Sequence, residues 1–381
     1  MNFQFTVPSQ VIFGEGSSLK AGEIAVHSGA KKVFLVYDRG VEGAGLLTDI
    51  KKSLEDAELG IVPFGDVVPN PTTAQAEEAA EIARSEKVDA IVAIGGGSPI
   101  DVAKAVNILL TNPSPIQLYE GPNQVKNPTK PLIAIPTTAG TSSEVTVVSV
   151  LVDVAATRKM VILGNHVGAD YALIDPKLTV SMPPAITAAT GMDALTHAIE
   201  SYVSNNASPI TRTCSLEAAR LIYKHLPIAV ADGKNMEART GMMLACVIGG
   251  FAFSNADLGL VHGIAHTLSA YFNLAHGMAN AAVLPYVTEF NTEVASEDIK
   301  RLGEAMGLPV AALDSKQGAA QVVEAVKDLT QKIGIPPLHN LGVAENALEM
   351  LADETMNEFV LTFNPRKPSK EDVLDILKKA F

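Results

Sequence analysis

Short apolar runs of strand length alternate with helical patterns through the first 180 residues, and this alternation limits the fold more than any other feature. Such runs are typical of strands that are buried on both faces. Helical stretches separate them, the clearest being Thr73–Lys87, which is rich in Ala and Glu. Strands that alternate with helices predict a mostly parallel sheet with helices on both faces. The predicted strands are Lys32–Tyr37, Gly60–Phe64, Val88–Ile94 and Leu132–Pro136, with a further short strand or hairpin within residues 3–13.

The sequence pattern changes near residue 180. Beyond this point a 3.6-residue apolar period dominates, strand-like runs are rare, and prolines separate the predicted helices. A chain of 381 residues is also long for one hydrophobic core. We therefore predict an α/β domain at residues 1–180 and an all-helical domain at residues 181–381. Besides the stretch 186–201, the expected helices are Leu216–Leu226, Met236–Ala252, Gly263–Phe272, Ser296–Met306, Ala320–Ile333, Asn346–Thr355 and Lys370–Lys379.

Charge and cysteine content narrow the function classes. The formal net charge is −13 and no run of Lys or Arg stands out, which argues against a nucleic acid or an anionic membrane surface as partner. Two cysteines, Cys214 and Cys246, are too few for a disulfide framework or a Cys-based zinc site and suit a reducing compartment. The N-terminus lacks the layout of a signal peptide, and the longest apolar run, Met242–Phe253, is too short to span a bilayer. We expect a cytoplasmic protein without a membrane anchor.

An aspartate and several histidines cluster in the second half of the chain. Asp193 and His197 are four residues apart in a predicted helix, so both side chains leave the same face. His262, His266 and His276 follow within one further stretch. A single histidine is more often a satisfied core residue, but the cluster favours a metal site with nitrogen and oxygen ligands. Spacing alone pairs His262 with His266 as the second helical couple and places His276 in a turn. The ligand types leave Fe(II), Zn(II), Mn(II), Co(II) and Ni(II) open.

Three features of the first half suit a dinucleotide. The glycines of Gly95–Ser98 lie between a buried strand and a helix start, where free backbone N–H groups can hold a pyrophosphate. This is not the GxGxxG fingerprint, and a tight structural turn explains it about equally well. Asp38 ends another buried strand, where a carboxylate can bind a ribose and repel a 2′-phosphate, which favours NAD over NADP. The hydroxyls of Thr137–Ser143 follow a third strand. All three map to one edge of the sheet, where ligands of open α/β sheets bind.

A dinucleotide edge and a metal held by Asp and His together favour hydride transfer. The metal would polarise a carbonyl or lower the pKa of an alcohol. The nicotinamide ring would then take or give the hydride.

Long motifs in this sequence resemble the iron-containing, group III alcohol dehydrogenase family. They are GGGSPIDVAK, PTTAGTSSEVT, ATGMDALTHAIESYVS and DLGLVHGIAHTLSAYFNLAHGMANA, with VPNPT at residues 68–72. Together they span most of the chain in the family's order. The resemblance implies an α/β N-terminal dinucleotide-binding (Rossmann-like) domain plus an all-α C-terminal domain, which is the dehydroquinate synthase-like architecture. It also implies a homo-oligomer that uses NAD and Fe2+, with Zn2+ or another divalent metal as alternatives.

The resemblance also implies roles for individual residues. The metal ligands would be Asp193, His197, His262 and His276. His266 would then be a catalytic residue beside the nicotinamide and substrate instead of a ligand, and Phe253 would line the substrate pocket. Cofactor contacts would come from Asp38, Asn70, Gly96, Gly97, Ser98, Thr137, Thr138, Thr146, Lys159 and Leu178.

Several functions remain open at this stage. Members of the family act on short alcohols, diols, lactaldehyde and hydroxy acids. Val148 is apolar where some relatives carry a polar residue, so substrate specificity does not transfer from any one member. We expect a small primary alcohol or diol dehydrogenase, with a reductase of a small oxo or hydroxy acid as the alternative. A metal- and NAD-dependent lyase or cyclase would need basic residues for a polyanionic substrate, and few are present. A non-catalytic NAD or metal sensor would bind both without turnover.

Overall fold

The computed structural model describes residues 2–381, which divide into two compact units. The α/β unit comprises residues 7–138 and 142–182, and the helical unit comprises residues 2–6, 139–141 and 183–381. Two short segments of the expected first domain thus belong to the helical unit. The backbone of Thr6 exchanges hydrogen bonds of 2.6 and 3.0 Å with the Asn255 side chain. Gly140 lies so close to Thr190 that a Cβ atom at Gly140 would be 2.6 Å from Cβ of Thr190.

The α/β unit is built on a parallel sheet, as the sequence predicts. The strands of this unit are β1 Gln10–Phe13, β2 Lys32–Val36, β3 Gly60–Phe64, β4 Ala90–Gly95, β5 Gly121–Pro122, β6 Leu132–Pro136, β7 Val148–Asp153, β8 Arg158–Leu163 and β9 Tyr171–Ile174. Six of them pair in the order β1-β9-β6-β4-β2-β3, and every pairing is parallel. A smaller sheet has the order β5-β8-β7, with β7 and β8 antiparallel.

Helices cover both faces of this sheet because successive strand residues point to opposite sides. On β2, Val33 and Leu35 join one apolar core, whereas Phe34 and Val36 join the other. The first core contains α1 and α3, and the second contains α4 and α5. The helices of this unit are α1 Ala21–His27, α2 Arg39–Gly43, α3 Leu47–Asp56, α4 Thr73–Ser85 and α5 Gly97–Thr111, with 3₁₀ turns at Ser17–Lys20, Ile116–Tyr119, Ser143–Val145 and Pro176–Thr179.

The second unit is helical, as predicted. Its helices are α6 Pro184–Val203, α7 Pro209–Ala231, α8 Met236–Ala256, α9 Leu260–Phe272, α10 His276–Ala305, α11 Ser315–Lys332, α12 Leu348–Thr355 and α13 Lys370–Ala380, with 3₁₀ turns at Leu338–Leu341, Glu345–Ala347 and Phe359–Phe363. Pro183 and Pro184 open α6, where a missing N–H costs nothing. Ser208 caps α7 in a capping box with Thr211.

The longest helix differs from the sequence prediction. α10 is 30 residues long and contains Pro285, whereas the periodicity predicts a helix only from Ser296. His276 is the first residue of this helix, so the prediction that it lies in a turn is wrong. Ala295 has non-helical angles (φ −121°, ψ 25°), which mark a kink where the predicted segment begins.

One helix among residues 2–381, α8, is long and apolar enough to cross a membrane by length and composition. It packs against α6 and α7, and its side chains include the buried Met242, Met243 and Cys246. These contacts are those of a core helix. Cys214 on α7 is only half-buried.

Candidate functional site

Three imidazoles of the helical unit converge on one carboxylate oxygen, Oδ1 of Asp193. Asp193 and His197 are one turn apart on α6, His262 lies in the first turn of α9, and His276 begins α10. The Nε2 atoms of His197, His276 and His262 lie 3.8, 3.8 and 4.0 Å from Oδ1 of Asp193. One ligand atom each from Asp193, His262 and His276 lies within 4.8 Å of the others, so these three could hold one metal ion. His197 approaches the same oxygen from the neighbouring turn of α6.

The chemistry of this cluster suits a divalent cation. Asp193 is 1% exposed, and among residues 2–381 no lysine or arginine pairs with its carboxylate. A buried carboxylate needs a positive partner, and a cation among the imidazoles would supply it. Burial lowers the pKa of His197 to about 4, so its ring is neutral near pH 7. Neutral imidazole is the form that binds metals.

Glu200 holds one of these histidines in place. Its Oε2 lies 2.6 Å from Nδ1 of His262, and its Oε1 accepts a 2.6 Å hydrogen bond from the N–H of Val261. Burial raises the pKa of Glu200 to about 7, against backbone N–H groups at the start of α9 that lower it. A carboxylate on Nδ1 leaves Nε2 of His262 as the lone-pair nitrogen directed at Asp193. Glu200 is not among the predicted site residues, although it follows Asp193 by two helical turns on the same face.

Asn280, one turn after His276 on α10, lies inside the cluster. Its Nδ2 is 2.6 Å from Oδ1 of Asp193, 3.2 Å from Nε2 of His262 and 3.3 Å from Nε2 of His276. The amide is completely buried and joins residues from three helices. Sequence analysis missed this residue too, because a buried amide is not a common ligand and no spacing rule selects it.

His266 lies beside the cluster without joining it. Its ring is edge-on to His262 at 6.1 Å and stacked on His276 at 5.7 Å between centroids. Its Nδ1 is 2.9 Å from Oε2 of Glu358. Spacing alone pairs His262 with His266 as ligands, whereas the structure groups His262 with Asp193 and with His276, the first residue of α10. Phe253 on α8 stacks on His197 at 4.1 Å.

The glycine turn of the α/β unit connects β4 to α5. Gly95 has φ +152°, and a Cβ there would lie 2.5 Å from Cγ of Pro99, so only glycine fits. Gly96 is the residue before α5 and makes no side-chain cap, so its neighbouring N–H groups are available to a ligand. A Cβ at Gly96 would lie 3.3 Å from Thr138. Gly97 and Ser98 form the first turn of α5.

The structure brings the three dinucleotide features to one edge of the sheet. The N–H of Thr137 donates a 2.9 Å hydrogen bond to the carbonyl of Gly95, which joins the ends of β6 and β4. A Cβ at Gly95 would lie 3.3 Å from Oδ2 of Asp38, which follows β2. Oδ1 of Asp38 accepts a 2.9 Å hydrogen bond from the N–H of Val41 and caps α2.

A buried lysine shapes the hydroxyl loop next to this edge. Nζ of Lys104, on α5, donates to the carbonyl oxygens of Ser143, Val148 and Thr146 at 2.6, 2.6 and 3.1 Å. It also lies 3.0 Å from Oγ of Ser143 and 3.2 Å from Oγ1 of Thr146. Burial lowers the pKa of Lys104 to about 8, and the nearby Asp101 opposes this shift. The lysine therefore fixes the backbone around Thr146 and Val148, a role that sequence analysis did not identify.

The remaining predicted cofactor residues lie on other parts of the α/β unit. Asn70 has φ +50° in the turn before α4. The next residue of that turn, Pro71, accepts a 2.8 Å hydrogen bond from the N–H of Val152, whose register partner on β8 is Lys159. Leu178 packs against the apolar core that contains α1 and α3. The turn and Lys159 thus flank β7 from two sides.

Known proteins match this chain along almost its whole length. Residues 8–176 match the family described as "Iron-containing alcohol dehydrogenase", and residues 187–381 match "Fe-containing alcohol dehydrogenase family, C-terminal". The chain is similar to the NAD-dependent methanol dehydrogenase of Bacillus methanolicus, with 36% identity over 99% of both chains. Its identity to alcohol dehydrogenase 4 of Saccharomyces cerevisiae is 39%, over 99% of this chain and 98% of that one. A solved 1,3-propanediol oxidoreductase has 36% identity, a TM-score of 0.97 and complete coverage of both chains.

Proposed function

The chain belongs to the iron-containing alcohol dehydrogenase family, a family of alcohol oxidoreductases, and we propose that it interconverts a small primary alcohol or diol and its aldehyde. NAD would carry the hydride, and a divalent metal, iron by the family's name, would supply Lewis-acid chemistry at the substrate oxygen. The convergence of three imidazoles within 4.0 Å of one buried carboxylate oxygen is the observation that carries this proposal.

The proposed metal ligands are Asp193, His197, His262 and His276. When bound, the metal supplies Lewis-acid activation of an alcohol or carbonyl. The protein contributes the rest of the site: the buried carboxylate of Asp193, a neutral His197 and a His262 whose ring is held by Glu200. The buried amide of Asn280 donates toward ligand atoms of α6, α9 and α10, so it would turn away from these atoms when the ion takes their lone pairs.

The proposed NAD site lies at the edge that holds the glycine turn. The N-terminus of α5 presents backbone N–H groups to the pyrophosphate, and Gly95 and Gly96 let it approach closely. The carboxylate of Asp38 binds the ribose hydroxyls and repels the phosphate of NADP. The other proposed contacts are Asn70, Gly97, Ser98, Thr137, Thr138, Thr146, Lys159 and Leu178.

The substrate is expected to be small. Relatives with the names methanol dehydrogenase and 1,3-propanediol dehydrogenase act on alcohols of few atoms. Phe253 is the proposed pocket wall, because its ring packs on His197 and limits the space beside that ligand. His266 is the proposed catalytic residue that hydrogen-bonds the substrate hydroxyl. We also propose a cytoplasmic location. The protein is proposed to be a homodimer or a larger homo-oligomer, and sedimentation would test this oligomeric state.

Activity is tested by supplying metal-free protein with Fe(II) under anaerobic conditions, or with Zn(II), followed by NAD and a panel of C1–C4 alcohols, diols and 2-hydroxy acids. We expect metal-dependent formation of the reduced nicotinamide with alcohols or diols. Binding of metal and NAD is measured in parallel by metal analysis and calorimetry. No turnover across the panel while both are bound would contradict a dehydrogenase, and turnover of the 2-hydroxy acids alone would favour the alternative substrate class.

A further inference from the structure

We propose that Glu358 is a positioning residue for His266, fixing the orientation and the tautomer of its imidazole. The inference deepens the proposed function and rests on it, since it concerns the residue placed beside the substrate. Oε2 of Glu358 lies 2.9 Å from Nδ1 of His266. The histidine side chain is 10% exposed and the glutamate side chain 25%, so the pair is largely shielded from water.

The chemistry of this contact determines which nitrogen carries the proton. An ionised carboxylate can only accept hydrogen bonds, whereas a neutral imidazole has one donor and one acceptor nitrogen. Nδ1 of His266 must therefore be the protonated nitrogen, and Nε2 keeps its lone pair. In that tautomer Nε2 accepts a hydrogen bond from a hydroxyl group. An alcohol is a donor of this kind, so the pairing matches the substrate class.

Close packing holds Glu358 in register with α9. Gly263, one turn before His266, has no side chain, and a Cβ there would lie 2.9 Å from Cδ2 of Leu361 and 3.6 Å from Cβ of Glu358. One residue after His266, Oγ1 of Thr267 lies 3.2 Å from Oγ1 of Thr355. These two contacts, on either side of His266, fix the segment that carries Glu358.

Rings on either side limit how far His266 can rotate. The ring stacks on His276 at an interplanar angle of 26° and is nearly perpendicular to His262 at 80°. His262 is held on Nδ1 by a glutamate in the same way, at 2.6 Å from Glu200. Two histidines on successive turns of α9 thus receive a carboxylate at the same ring nitrogen. Glu200 comes from α6, whereas Glu358 comes from the chain after α12.

The first measurement reads the tautomer and needs no turnover. Zn(II)-loaded protein labelled with ¹⁵N-histidine is compared with its His266→Asn variant, which assigns the His266 signals in long-range ¹H–¹⁵N spectra. We expect the Nδ1–H tautomer in the parent and in Glu358→Gln, whose carbonyl oxygen still accepts the bond. Glu358→Ala is expected to shift the ring toward the Nε2–H tautomer or a mixture. An Nε2–H tautomer in the parent would overturn the proposal, whatever the enzyme does to alcohols.

The second measurement asks whether Glu358 acts through His266. Loss of one charge-assisted hydrogen bond predicts that Glu358→Ala lowers kcat about 10- to 100-fold. We expect KM, metal content and NAD affinity within about twofold of the parent. In a His266→Ala background the same change should have no further effect on kcat. Glu349→Ala, an exposed glutamate on α12, is the matched control and should behave like the parent.

Each outcome of these measurements is decisive for Glu358. A full second loss in the double variant, or a parent-like kcat in Glu358→Ala, would overturn its positioning role. Thermal melting of every variant separates misfolding from a local effect, and Glu358→Gln provides a folded comparison if Glu358→Ala is unstable. If no alcohol is oxidised at all, the proposed function fails, and the tautomer still decides this inference.

Discussion

Replacing Glu200 by glutamine should weaken metal binding even though the two side chains have almost the same shape. The carboxylate accepts from two donors at 2.6 Å, the N–H of Val261 and Nδ1–H of His262. A glutamine offers one acceptor oxygen and one NH₂ group. If its oxygen stays on Val261, its NH₂ faces Nδ1 of His262, and that ring must move its proton to Nε2, the nitrogen needed for the metal.

The size of the effect follows from this conflict. Either His262 adopts the tautomer that cannot bind the metal, or the glutamine amide flips and loses its hydrogen bond from the N–H of Val261. Removing a partner that orients a metal-bound histidine typically costs 10- to 100-fold in metal affinity. We therefore expect Glu200→Gln to weaken metal binding by about 1.4 to 2.8 kcal/mol, from 1.4 kcal/mol per tenfold. At a fixed free-metal concentration well above both dissociation constants, the metal should stabilise the variant less by the same amount.

The assay is competition for Zn(II) between the protein and a chromophoric chelator, together with thermal melting with and without metal. Glu237→Gln is the matched control, since Glu237 is on α8 and pairs with Lys224 on the surface at 3.3 Å. The control should bind Zn(II) like the parent. A dissociation constant for Glu200→Gln within twofold of the parent's would refute the reasoning that the carboxylate sets the tautomer of His262.

Three further predictions concern the metal, the cofactor and the buried lysine. His262→Ala should lose bound metal, whereas His266→Ala should keep it and lose rate; equal metal content in the two variants would contradict this. Asp38→Asn keeps the cap on Val41 but removes the charge, so its kcat/KM with NADP relative to NAD should rise about tenfold, and an unchanged ratio would exclude repulsion by Asp38. Lys104→Met removes a charged donor from three carbonyl oxygens and should cost about 3–5 kcal/mol in the free energy of unfolding, measured by urea denaturation; a loss below about 1 kcal/mol would contradict it. Burial lowers the pKa of Lys104 from 10.5 to about 8, so unfolding takes up a proton between pH 8 and pH 10.5. The contribution of Lys104 to the free energy of unfolding is therefore complete above pH 10.5 and is lost as the pH falls through 8. The stability advantage of the parent over Lys104→Met should therefore grow from pH 8 to pH 10.5, and a flat difference would show that the lysine is not the group responsible.

The central strands β2, β4 and β6 were predictable because they are buried on both faces. Runs such as Val88–Ile94 have no other good structural explanation at that length, and the turns that follow them necessarily meet at one edge. The hairpin of β7 and β8 was not predicted. Its side chains are only alternately buried, so its two strands lack the burial on both faces on which the other strand predictions rest.

Residue spacing predicts a contact in the candidate site only where both residues lie on the same helix. Asp193 and His197 share a helix face, and the spacing shows it. The contact between His266 and Glu358 joins residues 92 positions apart, and no local pattern connects them. Glu200 and Lys104 are charged residue types that usually face solvent, so their burial, which defines their roles, is visible only in the folded chain.

The ligands proposed for the metal come from three different helices, α6, α9 and α10. A cation bound by all of them would hold these helices together, so it would stabilise the helical unit as well as take part in the reaction. Its loss would leave a buried carboxylate without a counter-charge at the point where those helices meet. Scarcity of the metal in a cell would then shorten the life of the polypeptide through proteolysis, and enzyme abundance would follow metal supply without any change in gene expression.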